Sequence, residues 1–239
     1  MNPTHPTLVL LPGLAANTVM WRAQLDALAD PWQPCVADVN SHHDTIEAMA
    51  AALLAQHAGE LVLCGASMGG IVAMEAARQA PQRVAGLALL GTTARPETPD
   101  MRALREAAIE LFEQGRLREV IEPNVAFAFH PDNATRPELV QAYLDFVLDA
   151  GASHLVRQNR AVIHRPDARQ HLPGVACPVL VVCGEADQLT PPECSAEIAA
   201  LVPGAEHHLL PDSGHMLTME QPETVTRLLV QWLARSGWI

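Results

Sequence analysis

The chain has 239 residues, of which 49% are hydrophobic and 18% charged, so it can bury the core of one large domain and is not disordered as a whole. Its net charge is −12 and all 15 of its basic residues are arginine, which argues against nucleic acid or an anionic membrane as a partner. The absence of lysine excludes Schiff-base chemistry, and no apolar run approaches the roughly 18 residues that a membrane-spanning helix needs.

In the first part of the chain, short apolar runs alternate with helical segments. The pattern predicts strands at residues 8–11, 35–39, 61–64 and 84–90, and helices at residues 21–28, 44–56 and 68–80. Uninterrupted apolar strands separated by helices are typical of a parallel sheet that is covered on both faces.

The alternation stops at residues 95–173, where the periodicity is helical and prolines are frequent. We predict helices there at residues 100–114, 117–121, 137–148 and 153–163. Strands return at residues 178–183 and 207–210, with helices at 192–201 and 222–234. The sequence therefore predicts an α/β fold with a doubly wound, mostly parallel sheet. Residues 1–94 and 174–239 form its core, and residues 95–173, the cap segment, form an inserted helical cap.

Cysteine usage, the N-terminal residues and arginine usage each add an expectation. The five cysteines are an odd number with no paired spacing, and most lie in or beside apolar runs, which is typical of buried thiols in a reduced compartment. The N-terminal residues also lack the features of a signal peptide, so we predict a cytoplasmic protein. Ten of the 15 arginines fall in the cap segment, where solvated helix faces are favoured over contacts with an acidic substrate.

The strongest local motif is Gly65-Ala66-Ser67-Met68-Gly69, which lies between a predicted strand and a predicted helix. This strand–turn–helix context is what a nucleophile elbow requires, because small residues must flank a serine in so tight a turn. Ser67 would then project from the end of a central strand, at the positive end of the following helix. The motif predicts that Ser67 is a nucleophile.

A nucleophilic serine needs a base and an orienting carboxylate, which in this fold follow it in the order acid, then histidine. Asp187 follows the strand at 178–183, and His215 follows the strand at 207–210, so both would reach the same sheet edge as Ser67. Glu185 is the alternative to Asp187 as the acid. Asp212 could instead cap or turn the loop before His215. We predict Asp187 as the acid and His215 as the base.

Two backbone N–H groups should complete the site as an oxyanion hole. Met68 directly follows the predicted nucleophile, and Leu14 follows Pro12-Gly13 after the first strand. An ordinary Pro-Gly turn remains the alternative interpretation of that loop.

The sequence resembles the α/β-hydrolase superfamily through the segments at 10–14, 65–70, 184–187 and 214–215, with Glu220-Gln221-Pro222 just after them. It is most similar to the small capped carboxylesterases and enol-lactonases. The resemblance implies that Ser67 attacks, His215 is the base, Asp187 orients it, and Leu14 and Met68 hold the oxyanion. Serine at the elbow departs from relatives that use an aspartate nucleophile, and Met216 stands where C–C hydrolases often carry tryptophan.

We therefore predict a serine hydrolase that cleaves a small carboxylic ester or lactone through an acyl-enzyme, with no cofactor and no metal. An enol-lactonase or C–C hydrolase of an acidic substrate is one alternative, and a non-catalytic ligand-binding member of the fold is another. The partner is a small molecule, with no nucleic acid and no membrane. The candidate pocket residues, which could equally form the core of the cap, are Met101, Phe112, Phe127, Phe129, Tyr143 and Phe146.

Overall fold

The computed structural model describes residues 5–30 and 32–238 of the chain. Within these residues, six parallel strands form one sheet in the order β2-β1-β3-β4-β5-β6. The strands are β1 Thr7–Leu11, β2 Cys35–Val36, β3 Leu61–Ala66, β4 Val84–Leu90, β5 Val179–Gly184 and β6 Glu206–Leu210. β2 lies on one side of β1 and the later strands lie on the other, so the direction in which strands are added reverses at β1. The predicted doubly wound parallel sheet is therefore confirmed.

Helices lie between successive strands and after β6. They are α1 Arg22–Ala27, α2 Ile46–Gln56, α3 Met68–Gln79, α4 Pro99–Glu113, α5 Leu117–Ala128, α6 Pro137–Ala150, α7 Ala152–Ile163, α8 Pro192–Leu201, α9 Leu217–Glu220 and α10 Pro222–Arg235. Along the described part of the chain, no helix is long and apolar enough to cross a membrane.

The alternating side chains of the strands bury both faces of the sheet. In β1, Leu8 and Leu10 pack into a core that includes Trp232 of α10, whereas Val9 and Leu11 pack into a second core with α2 and α3. Each of these four strand residues is no more than 2% exposed. Two buried faces explain why the strands read as continuous apolar runs rather than as alternating ones.

The stretch between β4 and β5 contains α4, α5, α6 and α7, as the helical periodicity of the cap segment predicts. The division of the chain into a core and a cap stays a prediction. The predicted end of a helix at residue 121 is wrong, because α5 continues through Pro123 to Ala128. Ile121 and Ala128 are both buried, and their packing offsets the loss of the backbone hydrogen bond that Pro123 cannot donate.

The second strand is also shorter than predicted. It ends at Val36, and the chain turns through a 3₁₀ segment, Val39–Ser41, instead of continuing to residue 39. The turn brings the side chain of Asn40 under the loop after β1, where its Nδ2 lies 3.4 Å from the Gly13 carbonyl oxygen. This edge strand therefore gives way to a turn that makes a long-range polar contact.

Candidate active site

The elbow between β3 and α3 holds Ser67 in a conformation that is rare for a residue other than glycine. Its φ is 52° and its ψ is −118°, and such a backbone persists only where its surroundings hold it. The Ser67 N–H donates to the Leu90 carbonyl at 2.9 Å. The Ser67 carbonyl accepts from the Gly70 N–H at 3.0 Å and from Thr92 Oγ1 at 2.7 Å. These bonds hold the strained turn in place.

The two glycines of the motif allow the chain to approach itself closely. A Cβ atom on Gly65 would collide with the Gly69 carbonyl, and one on Gly69 would collide with the carbonyl of Leu11. The requirement for small residues at both positions follows from this packing, as the motif predicts.

His215 and Asp187 lie beside Ser67 and form a continuous chain of hydrogen bonds with it. His215 Nε2 is 3.0 Å from Ser67 Oγ, and His215 Nδ1 is 2.8 Å from Asp187 Oδ2. A carboxylate can only accept, so Nδ1 carries the proton and Nε2 is left to accept from the serine hydroxyl. The structure therefore brings together the three residues that the sequence analysis selected.

The Asp187 carboxylate is fully buried and well supplied with hydrogen-bond donors. The Leu189 and Thr190 N–H groups donate to its Oδ1, each at 2.9 Å, and Thr190 Oγ1 donates to Oδ2 at 2.9 Å. Burial raises the pKa of Asp187, but the charge and hydrogen bond of His215 and the hydrogen bonds of Thr190 lower it by more. The net result is a pKa of Asp187 below its ordinary value. Thr190 was not among the predicted site residues, although its position three residues after the acid was a usable signal.

The competing acids lie elsewhere. Glu185 is exposed, and its N–H donates to the Leu210 carbonyl at 2.9 Å. Asp212 is an exposed turn residue with a φ of 54°, which is a conformation that aspartate tolerates. Neither side chain has a hydrogen bond to His215.

Opposing effects set the pKa of His215. Burial lowers it, but the charge and hydrogen bond of Asp187 and the nearby carboxylate of Glu220 raise it more, while Arg105 lowers it. The net result is a His215 pKa above its ordinary value. The imidazolium form of the ring is therefore stabilised relative to an isolated histidine.

Glu220 also holds the loop that carries His215. One carboxylate oxygen accepts from the Gly214 N–H at 2.9 Å. The other accepts from the His130 N–H at 2.8 Å and from Asn133 Nδ2 at 2.9 Å. This buried residue ties the histidine loop to the end of α5. From the sequence, Glu220 was noted only as part of the segment Glu220-Gln221-Pro222.

The predicted oxyanion donors belong to two segments next to Ser67. Met68 is the first residue of α3, and its N–H has no acceptor among the described residues. The loop carrying Leu14 is close by, since a Cβ built on Gly13 would lie 3.3 Å from Ser67 Cβ. The Leu14 N–H also has no acceptor among the described residues. The role of both groups as oxyanion donors stays a prediction.

The sequence matches the family described as alpha/beta hydrolase fold over residues 6–222. The chain belongs to the α/β-hydrolase family. Proteins named "Putative carbamate hydrolase RutD" from Shigella flexneri and Escherichia coli are 28% identical to this α/β hydrolase, over 96% of this chain and 91% of theirs.

Solved structures of other α/β hydrolases have the same fold. A thermophilic esterase from Thermogutta terrifontis, solved with malate bound, is 31% identical with a TM-score of 0.88, over 96% of this chain and 89% of that one. The enol-lactonase from Burkholderia xenovorans LB400 is 23% identical with a TM-score of 0.87, over 97% of this chain and 92% of that one.

The six candidate pocket residues of this α/β hydrolase lie in two kinds of surroundings. Phe129, Tyr143 and Phe146 are buried and pack edge to face with centroids 5.4 Å apart, and Phe112 is buried in the same core. Met101 and Phe127 are exposed instead. These contacts are those of a hydrophobic core and a surface, and a role in substrate binding stays a prediction.

One buried cysteine of this α/β hydrolase, Cys183, lies beside the Asp187 carboxylate. Cys183 Sγ lies 4.0 Å from Asp187 Oδ2, and burial together with that carboxylate raises the pKa of Cys183 to about 12. A thiol with so high a pKa stays protonated. Within the described ranges, no group of three or more His, Cys, Asp or Glu side chains could hold a metal ion.

Proposed function

We propose that this α/β hydrolase is a serine hydrolase that cleaves a small carboxylic ester or lactone through an acyl-enzyme. One observation carries the proposal: Ser67, on a strained elbow, lies 3.0 Å from His215 Nε2, whose Nδ1 lies 2.8 Å from a fully buried Asp187. Nucleophile, base and orienting acid in this geometry are the requirements for acyl transfer.

The reaction would proceed in two halves. Ser67 Oγ attacks the acyl carbon while its proton passes to His215 Nε2, and the carbonyl oxygen becomes an oxyanion that accepts from the Leu14 and Met68 N–H groups. The imidazolium then protonates the leaving alcohol, which departs as the acyl-enzyme forms. Water attacks that ester in turn, with His215 taking and returning the proton, and the acid leaves.

A substrate panel tests this proposal against its alternatives. It contains chromogenic esters of increasing acyl length, lactones, half-esters and one carbamate, since the curated relatives carry a carbamate hydrolase name. Ser67→Ala is the blank. Ester or lactone turnover that the blank lacks supports the proposal, and specific turnover of the carbamate alone would move the substrate class to carbamates. A protein that binds these compounds without turnover would be a non-catalytic member of the fold.

We predict that the acid limb of the pH profile lies above the ordinary imidazole pKa of about 6.5. Only neutral His215 accepts the serine proton, so kcat/KM for an uncharged ester rises as the pH increases through the raised pKa of His215. Arg105 lowers that pKa, so Arg105→Gln should move the limb to higher pH. Arg160→Gln, an exposed cap residue paired with Glu113 at 2.8 Å, should leave it in place. A limb at or below the ordinary value would contradict this assignment.

The cap arginines decide between a neutral and an acidic substrate. Most already have partners: Arg105 and Arg165 share Glu97, whose side chain is 3% exposed, with N–O distances of 2.6 and 2.8 Å. Arg157 donates to the Ser41 carbonyl at 2.6 Å, and Arg102 donates to the Ile163 carbonyl at 3.3 Å. Because their N–H groups already donate to these partners, these arginines have fewer free donors for a substrate carboxylate.

We therefore predict that a neutral methyl ester is a better substrate than the half-ester with a free carboxylate. Arg→Gln at any one of these positions should change the ratio of the two kcat/KM values by no more than about threefold. The set is Arg102, Arg105, Arg157, Arg160 and Arg165. An arginine that binds the carboxylate would change the ratio by about 10- to 150-fold. A change of that size, above all in Arg105→Gln, would favour the enol-lactonase alternative.

A further inference from the structure

Two buried amide side chains surround the loop that carries Leu14. Gln158, on α7, is 0% exposed, and Asn40, in the turn after β2, is 4% exposed. Gln158 Nε2 donates to the Asn40 carbonyl at 2.9 Å, so the two residues are joined to each other. Buried amides are costly unless their polar atoms are paired. Asn40 Oδ1 accepts from Ser41 Oγ at 3.5 Å, and one further bond from each amide is made to the loop.

The first of these bonds acts on the peptide that contains the Leu14 N–H. Asn40 Nδ2 lies 3.4 Å from the Gly13 carbonyl oxygen, which also accepts from the Ala16 N–H at 3.2 Å. In a planar trans peptide, the C=O and N–H groups point in opposite directions. Donors that hold the Gly13 carbonyl therefore also set the direction of the Leu14 N–H.

The second bond acts on the next peptide. Gln158 Oε1 accepts from the Ala15 N–H at 2.6 Å. Ala15 is 3% exposed and has a φ of 57°, in the left-handed region that alanine rarely adopts. Without Gln158, this N–H would be buried with no partner, and the strained backbone would lose what holds it.

We propose that Gln158 and Asn40 are positioning residues that orient the Leu14 N–H toward the oxyanion formed on Ser67, an inference that rests on the proposed serine-hydrolase function. Gln158 lies in the cap segment, whereas Asn40 and the Leu14 loop lie in the core. The oxyanion hole is therefore complete only while Gln158 of α7 keeps its hydrogen bond to the Leu14 loop. The position of the cap helix and the stabilisation of the transition state are coupled through one side chain.

The test compares Gln158→Met with Gln141→Met. Both remove an amide from a cap helix, but Gln141 is exposed on α6 and bonds Asp145 at 2.6 Å. For a chromogenic ester, Gln158→Met should lower kcat by roughly 10- to 100-fold, because a displaced oxyanion donor acts mainly on the transition state. KM should stay within about threefold. Gln141→Met should match wild type.

A trifluoromethyl ketone separates positioning from a general structural role. Ser67 adds to its carbonyl and the resulting alkoxide occupies the oxyanion hole, so its affinity should fall by about the same factor as kcat. The affinity of the product acid should not change. A rise in KM with unchanged ketone affinity would overturn the proposal, as would a loss of thermal stability with kcat within threefold of wild type.

Asn40→Ala provides a second measurement, since it removes the Nδ2 donor and leaves α7 untouched. We expect the same pattern, with a lower kcat and weaker ketone binding. Unchanged kcat in this variant, or failure of both variants to fold, would assign the pair a structural role and overturn the proposal. The Ser67→Ala blank keeps the two questions apart, because wild-type turnover that the blank lacks supports the serine mechanism whatever Gln158 does.

Discussion

Ser67→Ala should abolish ester hydrolysis, lowering kcat by about 10⁴-fold or more while the protein still folds. The variant removes the atom that lies 3.0 Å from His215 Nε2 and leaves the elbow hydrogen bonds of the backbone intact. A loss of this size corresponds to about 5.5 kcal/mol of transition-state stabilisation. Steady-state kinetics with a chromogenic ester measures it, and an unchanged melting temperature shows that the fold is retained.

The chain contains a matched control for this variant. Ser195, on α8, is also buried, and its Oγ lies 3.0 Å from His207 Nε2 and 2.8 Å from the Pro192 carbonyl. It has a histidine neighbour but no elbow and no buried acid behind that histidine. Ser195→Ala should keep its activity, and a fluorophosphonate should label Ser67 alone. Activity of Ser67→Ala within tenfold of wild type would refute the nucleophile assignment.

Asp187→Asn should have the second largest effect, a fall in kcat of about 10⁴-fold. The carboxylate holds the proton on His215 Nδ1 and stabilises the imidazolium, whereas an amide can do neither in the same way. Because Asp187 also raises the pKa of His215, any residual activity should show its acid limb at lower pH than wild type. The pH dependence of kcat/KM in the variant measures both effects.

Glu185→Gln is the control for the acid. It makes the same change of a carboxylate to an amide two residues earlier, at an exposed side chain with no hydrogen bond to His215. Activity should remain within about twofold of wild type, because an exposed carboxylate contributes little to a buried site. If Glu185→Gln were the more damaged of the two variants, Asp187 would not be the orienting acid.

Parts of the fold and site were predictable because their signals are local. The Gly65–Gly69 motif, the strand before it and the helix after it are contiguous, so a single segment of the sequence predicts the elbow. Asp187 and His215 could be selected because parallel strands end at one edge of the sheet, which turns sequence order into proximity. Periodicity likewise indicated the sheet and the helices between β4 and β5.

Other features depended on packing that no local pattern encodes. The aromatic residues of the cap segment could line a pocket or form the core of the cap, and residue type alone does not distinguish the two. The structure packs Phe129, Tyr143 and Phe146 against one another. The helix predicted to end at residue 121 continues through Pro123 as α5, with Ile121 and Ala128 both buried.

The sequence by itself thus determined the fold class, the elbow and the order of the three residues at the sheet edge, because each follows from residue type and chain direction. Only the tertiary structure decided how the Leu14 loop is held. The amide of Gln158 reaches Ala15 across 143 residues of chain, and Asn40 reaches Gly13 across 27. Hydrogen bonds between such distant residues leave no periodicity or spacing to read. They form because buried polar groups must find partners once the helices have packed.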